Sequence, residues 1–264
     1  MPYAEVNGIK MYYEIHGKGF PLVLIQGFTR NLNNWDALAD RLKKEFKLIL
    51  LDNRGSGRTQ HPSPPYSIKM MAQDVRELLS KLDIQKAYVV GHSMGGAIAQ
   101  QLCIDYPQLV EKVIICSSFT KVPYTSLMQI DTILDMAKAE IPEEFIYRTV
   151  LPWLYSSTCL QNEKIQEHII QKMVNDPNQQ QVEGFLGQAE ALKSFNSAQD
   201  LSKIECPSLI LTGEVDFYAP IGLSQEMKDK IKKAQLRVYP QQGHMIIEEI
   251  PDAIASDIID FLGA

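Results

Sequence analysis

The sequence predicts an α/β protein: a mostly parallel eight-stranded sheet with helices on both faces and an inserted helical cap. Three observations predict it. Short apolar runs rich in β-branched residues alternate with longer amphipathic stretches at both ends of the chain. The alternation stops between about Lys121 and Gln199, where only helical patterning is found. One apolar run, Ala87-Tyr88-Val89-Val90, leads straight into Gly91-His92-Ser93-Met94-Gly95-Gly96 and then a helix-compatible run of small residues.

The elements follow in order. Asn7-Gly8 separates two short alternating segments, Tyr3–Val6 and Lys10–Ile15, the signal of a hairpin. Pro21–Gln26 is apolar on both faces and reads as a buried strand. Asn33 and Asn34 are candidate caps for a helix carrying Trp35, Leu38 and Leu42. Lys47–Leu51 is the next strand, followed by the tight polar loop Asp52–Thr59. That loop lacks the third glycine of G-x-G-x-x-G and any Gly-Lys-Ser/Thr, which argues against phosphate binding; Asp52 and Arg54 are expected to tie it together. Ser67 caps a helix whose apolar stripe is Met71, Val75, Leu78 and Leu82.

The Ala87 strand and its helix come next, the helix ending near Tyr106 before Pro107, then the strand Val113–Cys116. Four helices are predicted after it: Ser126–Ala139, Pro142–Leu154, Asn162–Val174 and Gln180–Lys193. Strands Ser208–Thr212 and Leu236–Tyr239 resume the sheet around a helix over Ile221–Ile231. A stripe of Ile247, Ile250, Ile254, Ile258 and Phe261 closes the chain. Residues 1–120 and 200–264 are thus expected to form the core, and 121–199 a cap. Right-handed crossovers between successive strands make the sheet parallel.

Composition limits the function. A net charge of −6, a pI near 5.4 and scattered Lys and Arg argue against a nucleic-acid partner. No apolar run approaches the roughly 20 residues of a membrane helix, and the N-terminus lacks a basic stretch followed by an apolar one. Cys103, Cys116, Cys159 and Cys206 are far apart in sequence and form no C-x-x-C, as expected of free thiols in a reducing compartment, the cytoplasm.

The chemistry is carried by Gly-X-Ser-X-Gly. In a sharp strand-to-helix turn a Cβ at Gly91 or Gly95 would clash, and Ser93 Oγ is exposed. Met94 N–H then lies in the first turn of a helix, where donors are unpaired and the dipole favours negative charge. The pattern alone arises by chance in roughly one chain in ten of this length; the flanking strand and helix supply the rest of the signal. A serine needs a base, and a histidine needs a carboxylate to fix its tautomer. Of five histidines, His244 follows the last strand and a glycine. Asp216 follows the strand Ser208–Thr212, with Glu214 as its rival. His92 adjoins Ser93 but points away from Oγ in such a turn, and His168 lies in the cap. No His, Cys or Glu cluster has zinc spacing, so no metal is expected.

With Gln26-Gly27-Phe28, Asp52-Asn53-Arg54-Gly55-Ser56-Gly57, Gly91-His92-Ser93-Met94-Gly95-Gly96, Gly213-Glu214-Val215-Asp216 and Gly243-His244, nearly the whole chain resembles the α/β-hydrolase superfamily. Within it the chain is similar to small bacterial capped enzymes: 3-oxoadipate enol-lactonases, carboxylesterases and pimeloyl-carrier-protein methyl ester esterases. The resemblance implies a triad in the order Ser93, Asp216, His244, favours Asp216 over Glu214, and assigns the oxyanion donors to Phe28 and Met94 N–H. Many relatives have His before the glycine where this chain has Gln26, which bears on the loop's own hydrogen bonds. Serine at the nucleophile position separates the chain from dehalogenases and epoxide hydrolases, which use Asp.

The implied activity is hydrolysis of a carboxylic ester or lactone without a cofactor. The same fold also hosts C–C bond hydrolases, cofactor-free oxygenases and slow-turnover signalling receptors. Phe119, Tyr124, Met128, Trp153, Tyr155, Phe185 and Tyr218, with Phe28, are the expected lining of the substrate pocket. Ten acidic against six basic residues between Lys121 and Gln199 weigh against an acidic carrier-protein partner. A monomer or homodimer acting on a small molecule is expected.

Overall fold

The computed structural model describes residues 2–263. Its eight strands are β1 (Tyr3–Val6), β2 (Ile9–His16), β3 (Pro21–Ile25), β4 (Lys47–Leu51), β5 (Ala87–His92), β6 (Val110–Cys116), β7 (Ser208–Gly213) and β8 (Ala234–Tyr239). They form one sheet in the order β1-β2-β4-β3-β5-β6-β7-β8. β1 and β2 pair antiparallel across the Asn7-Gly8 turn, β2 pairs antiparallel with β4, and all later neighbours are parallel. The expected architecture is therefore the observed one.

The central strands read as unbroken apolar runs because both faces are covered. On one face Val23, Ile25, Val89 and Ile115 pack with residues of α2 (Ile68–Lys81) and α3 (Met94–Asp105), the helices that follow α1 (Asp36–Leu42) in the chain. On the other, Leu22, Leu24, Val90 and Ile114 share a core with Trp35, Leu38 and Leu42 of the α1 region and with Ile254 and Ile258. Fully burying each such aliphatic side chain contributes about 1.5–3 kcal/mol, so the sheet's centre is the most strongly held part of the fold.

Between β6 and β7 stand α4 (Tyr124–Lys138), α5 (Glu143–Leu154), α6 (Ser157–Leu160), α7 (Glu163–Val174) and α8 (Val182–Ser194). The chain enters and leaves this stretch side by side: Lys121 bridges Asn196, and Ser197 N–H donates to the Thr120 carbonyl at 2.9 Å. α9 (Ile221–Lys230), α10 (Ile246–Glu249) and α11 (Pro251–Leu262) complete the chain.

Local differences from the sequence reading have physical reasons. The cap ahead of α1 is Asn31, whose side chain accepts Asn33 N–H while Asn34 reaches back to it, and it opens a short 3-10 turn, Leu32–Trp35. The closing stripe is two helices, because Pro251 has no N–H to continue α10. The short α6, capped by Ser156, had too few residues for a periodic signal. Cys103 and Cys206, distant in sequence, bring their sulfurs within 3.8 Å. No helix among the described residues is long and apolar enough to cross a membrane.

The polar loop after β4 is built on buried charge. Asp52 accepts Leu32 N–H at 2.7 Å and Arg58 N–H at 2.8 Å. Burial pushes its carboxyl pKa up, and those donors oppose the rise. Arg54 grips Asp74 of α2 with both Nε (2.9 Å) and Nη2 (2.7 Å), and Asn7 Nδ2 donates to the same carboxylate at 2.7 Å. Removing one member of such a pair strands the other charge in the interior. Arg54→Met is expected to cost about 3–5 kcal/mol in urea unfolding, and adding Asp74→Leu to restore most of it. A single variant as stable as wild type would show the pair to be dispensable.

Candidate active site

The site is organised by β5 and the turn after it. Ser93 adopts φ 55° and ψ −118°, a conformation rare for a residue with a side chain. Close packing holds it there: a Cβ on Gly91 would sit 2.2 Å from the Gly95 carbonyl oxygen, and one on Gly95 2.0 Å from that of Ile25. Ser118 Oγ donates to the Ser93 carbonyl at 2.7 Å, and Ser93 N–H donates to Cys116 of β6 at 2.9 Å. α3 starts at Met94, whose N–H has no acceptor among the described residues, as expected of a first-turn donor.

The loop after β3 faces this turn. Gly27 lies against Ser93, a Cβ there being 3.0 Å from the Ser93 Cβ. The Gln26 side chain turns onto its own loop, accepting Gly27 N–H at 3.1 Å, and Asn53 Nδ2 donates to the Gln26 carbonyl at 2.7 Å. Phe28 N–H has no acceptor among the described residues, while the next N–H, of Thr29, donates to Gln188 Oε1 of α8 at 3.2 Å.

Asp216 and His244 meet from the loops after β7 and β8. His244 Nδ1 is 2.9 and 3.0 Å from the two Asp216 oxygens, and both residues are buried. Asp216 Oδ1 also accepts Tyr218 N–H (2.9 Å) and Ala219 N–H (2.8 Å), so the carboxylate is well satisfied in the interior. Glu214, the rival acid, instead accepts Gln241 N–H at 3.0 Å on the surface. His244 Nε2 has no partner among the described residues, and Ser93 and His244 line the same cavity.

His92 is wholly buried and donates through Nε2 to the His244 carbonyl at 3.0 Å. Burial, then the neighbouring His244, push its pKa down to about 3, with the Arg30 charge acting in the same direction. It is neutral at any working pH, with the Nε2–H tautomer fixed by that bond.

The cavity holds about 290 Å³ between the inserted helices and the C-terminal ends of the strands. Of the residues named from the sequence for the substrate pocket, Phe28, Phe185 and Tyr218 line this cavity, the rings of Phe28 and Phe185 lying 4.9 Å apart. The other five expected lining residues do not. Tyr124 and Met128 are on the outer face of α4, 77% and 56% exposed. Phe119 is buried in the core beside Phe195, and Trp153 stands behind Tyr218 with its ring 6.1 Å away. Tyr155 is buried in the core beside Ile170 and Met245, its hydroxyl donating to Glu248 at 2.5 Å. Aromatic character alone did not distinguish core from pocket. Ile146, Val150 and Leu154, one face of α5, line the cavity instead. Arg30, two residues past Phe28, was missed. Among the described residues no cluster of three or more His, Cys, Asp or Glu could hold a metal ion.

A family model for the alpha/beta hydrolase fold matches residues 21–251. The chain belongs to the α/β-hydrolase family. The AB hydrolase superfamily protein YisY of Bacillus subtilis is 28% identical over 270 residues, covering 96% of this chain and 95% of that protein. A relative in Azorhizobium caulinodans that bears the provisional name carbamate hydrolase RutD is 26% identical over 268 residues, covering 100% and 98%. Among solved structures, Est816, described as an N-acyl homoserine lactone degrading enzyme, superposes with a TM-score of 0.84 at 28% identity, over 98% of this chain and 100% of its own. A thermophilic esterase from Thermogutta terrifontis gives 0.85 at 26%, over 96% and 93%.

The His92 environment has a consequence for stability. Its native pKa lies far below the ordinary 6.5, so under acid the unfolded chain binds a proton that the folded chain refuses. This residue's contribution is intact above about pH 6.5 and declines towards pH 3, by up to about 1.4 kcal/mol per pH unit. Urea unfolding of wild type and His92→Gln (whose Nε2 keeps the bond to His244) should therefore diverge in slope between pH 6.5 and 4. Parallel pH profiles would mean that His92 is protonated in the native state.

Proposed function

We propose that this α/β-hydrolase is a serine hydrolase that cleaves a carboxylic ester or lactone through Ser93, His244 and Asp216. The observation that carries the reading is the buried Asp216–His244 pair, whose free Nε2 opens onto the cavity that Ser93 also lines. Esterase and lactonase relatives covering nearly all of the chain support the substrate class.

On this reading Ser93 Oγ attacks the carbonyl carbon while His244 Nε2 takes its proton. Asp216 stabilises the imidazolium and keeps Nδ1 protonated. Phe28 and Met94 N–H groups receive the developing oxyanion, each such donor being worth about 3 kcal/mol. The tetrahedral adduct collapses, the C–O bond breaks, and His244 returns the proton to the departing alcohol. Water then attacks the acyl-serine with its proton taken by the same nitrogen, and the acid leaves with Ser93 restored. Residues 121–199 act as the cap that closes the cavity and sets substrate size. A carbamate would follow the same course to a carbamoyl-serine, which is less electrophilic and turns over more slowly.

With p-nitrophenyl esters of increasing acyl length, Ser93→Ala is expected to lower kcat by about 10³-fold or more, and Asp216→Asn by about 10⁴-fold. A serine-directed phosphonate should label wild type and leave Ser93→Ala unlabelled. Equal trace activity in wild type and Ser93→Ala, with no labelling, would sink the acyl-enzyme reading.

A further inference from the structure

Arg30 is the one lysine or arginine among the described residues lining the cavity. A guanidinium offers five N–H donors; the Arg30 side chain lies within reach of the Tyr155 hydroxyl, but its Nη2 is sealed from solvent and has no partner among the described residues. Five of the other six arginines hold a carboxylate: Arg41, Arg54, Arg58, Arg148 and Arg237. Arg30 does not.

Three acids stand near it. Glu143 accepts Gln179 Nε2 at 2.9 Å. Asp176 accepts Asn31 Nδ2 at 2.7 Å and Asn178 N–H at 2.8 Å. Glu248 accepts the Tyr155 hydroxyl through Oε2, while its buried Oε1 has no hydrogen-bond partner among the described residues and acts on Arg30 through its charge. None forms an ion pair with Arg30. Burial works to lower the Arg30 pKa, but Tyr155, Glu248 and Tyr147 around it raise it overall, so the group is a permanent cation. His92, next to Ser93, feels that charge. A cation with an unmatched donor therefore faces the same enclosed space as Ser93, amid apolar groups such as Ile146, Val150 and Phe185.

We infer that Arg30 recognises a carboxylate carried by the substrate apart from its scissile carbonyl, so that the natural ester or lactone is a monoanion. Unmatched buried donors are costly, and an acceptor that enters with the substrate removes that cost. A carboxylate fits best: its two oxygens match the planar fork of a guanidinium, where a lysine would offer only a point charge. The inference rests on the acyl-transfer reading above for its reaction, but the anion site can be tested apart from turnover.

The experiment compares mono-p-nitrophenyl esters of adipic and suberic acid with p-nitrophenyl esters of the monocarboxylic acids of matching length. The quantity read is the ratio of kcat/KM, anionic over neutral, on one protein preparation, so that partial misfolding cancels. Wild type is expected to favour the anion by about tenfold or more at one of the lengths, chiefly through KM. Arg30→Gln brings the ratio to one or below, and Arg30→Lys keeps part of it. Adipate alone should raise the melting temperature of wild type and leave that of Arg30→Gln unmoved. Turnover with no anionic preference at either length, or the same ratio in Arg30→Gln as in wild type, overturns the inference. No turnover on any ester, with Arg30-dependent adipate stabilisation, overturns the acyl-transfer reading and leaves the carboxylate site standing.

Discussion

The site depends on one strained residue. Ser93 sits at positive φ with ψ near −118°, a conformation of the kind that costs about 1–3 kcal/mol and persists only where its surroundings leave no alternative. Those surroundings are backbone. Gly95 lies against the Ile25 carbonyl and Gly91 against the Gly95 carbonyl, so β3, β5 and α3 close on the turn with no room for a side chain. If the strain relaxed, Ser93 would leave the cavity, and Met94 N–H would turn with it. The central sheet, buried on both faces, is the rigid body that makes the strain affordable.

The inserted helices are tied into this arrangement at buried points. Gln188 of α8 is fully buried; its Oε1 accepts Thr29 N–H, and its Nε2 donates to the Arg54 carbonyl and to Ser56 Oγ. Gly184, one turn earlier, packs against Gly55 so closely that a Cβ would lie 2.1 Å from the Gly55 carbonyl oxygen. At the other side Met245 N–H donates to Leu154 at the end of α5. The Phe28 peptide and the His244 loop are thus each held by a helix of the 121–199 stretch. The buried Arg54–Asp74 pair carries the same chain of contacts down to α2 and Asn7. A defect in that pair would reach the proposed oxyanion donors through the loop they share.

What was legible in the sequence is what depends on local pattern. Apolar runs announced the strands, the glycines around Ser93 announced the turn, and strand ends announced the Asp216 and His244 loops. The interruption between Lys121 and Gln199 was readable because helices leave a different period from buried strands. What was not legible depends on distant partners. Tyr155 and Phe119 looked like pocket aromatics, but only the fold shows Glu248 at the tip of one and Phe195 beside the other. Tyr124 and Met128 occupy the outer face of α4, and an amphipathic pattern does not say which face meets a cavity. The approach of Cys103 to Cys206 arises from packing between α3 and the segment before β7. Arg30 carried no motif; it stands out only when every arginine is matched against the acids it meets.

The charges of the cavity make one coherent electrostatic arrangement. An acyl transfer needs a single site that gains and loses a proton, and two histidines lie together here with ring centroids 5.1 Å apart. On the proposed reading, burial first and then the neighbouring His244 keep His92 from taking the proton, and its Nε2–H is committed to the His244 carbonyl. Asp216, satisfied by two backbone donors, has His244 as its one side-chain partner among the described residues, and on the proposed reading stabilises charge there. Arg30 therefore acts twice on the proposed reading. Its field adds a small share to the burial that keeps the neighbouring histidine neutral, and its unmatched Nη2 selects a substrate whose own charge completes the cavity.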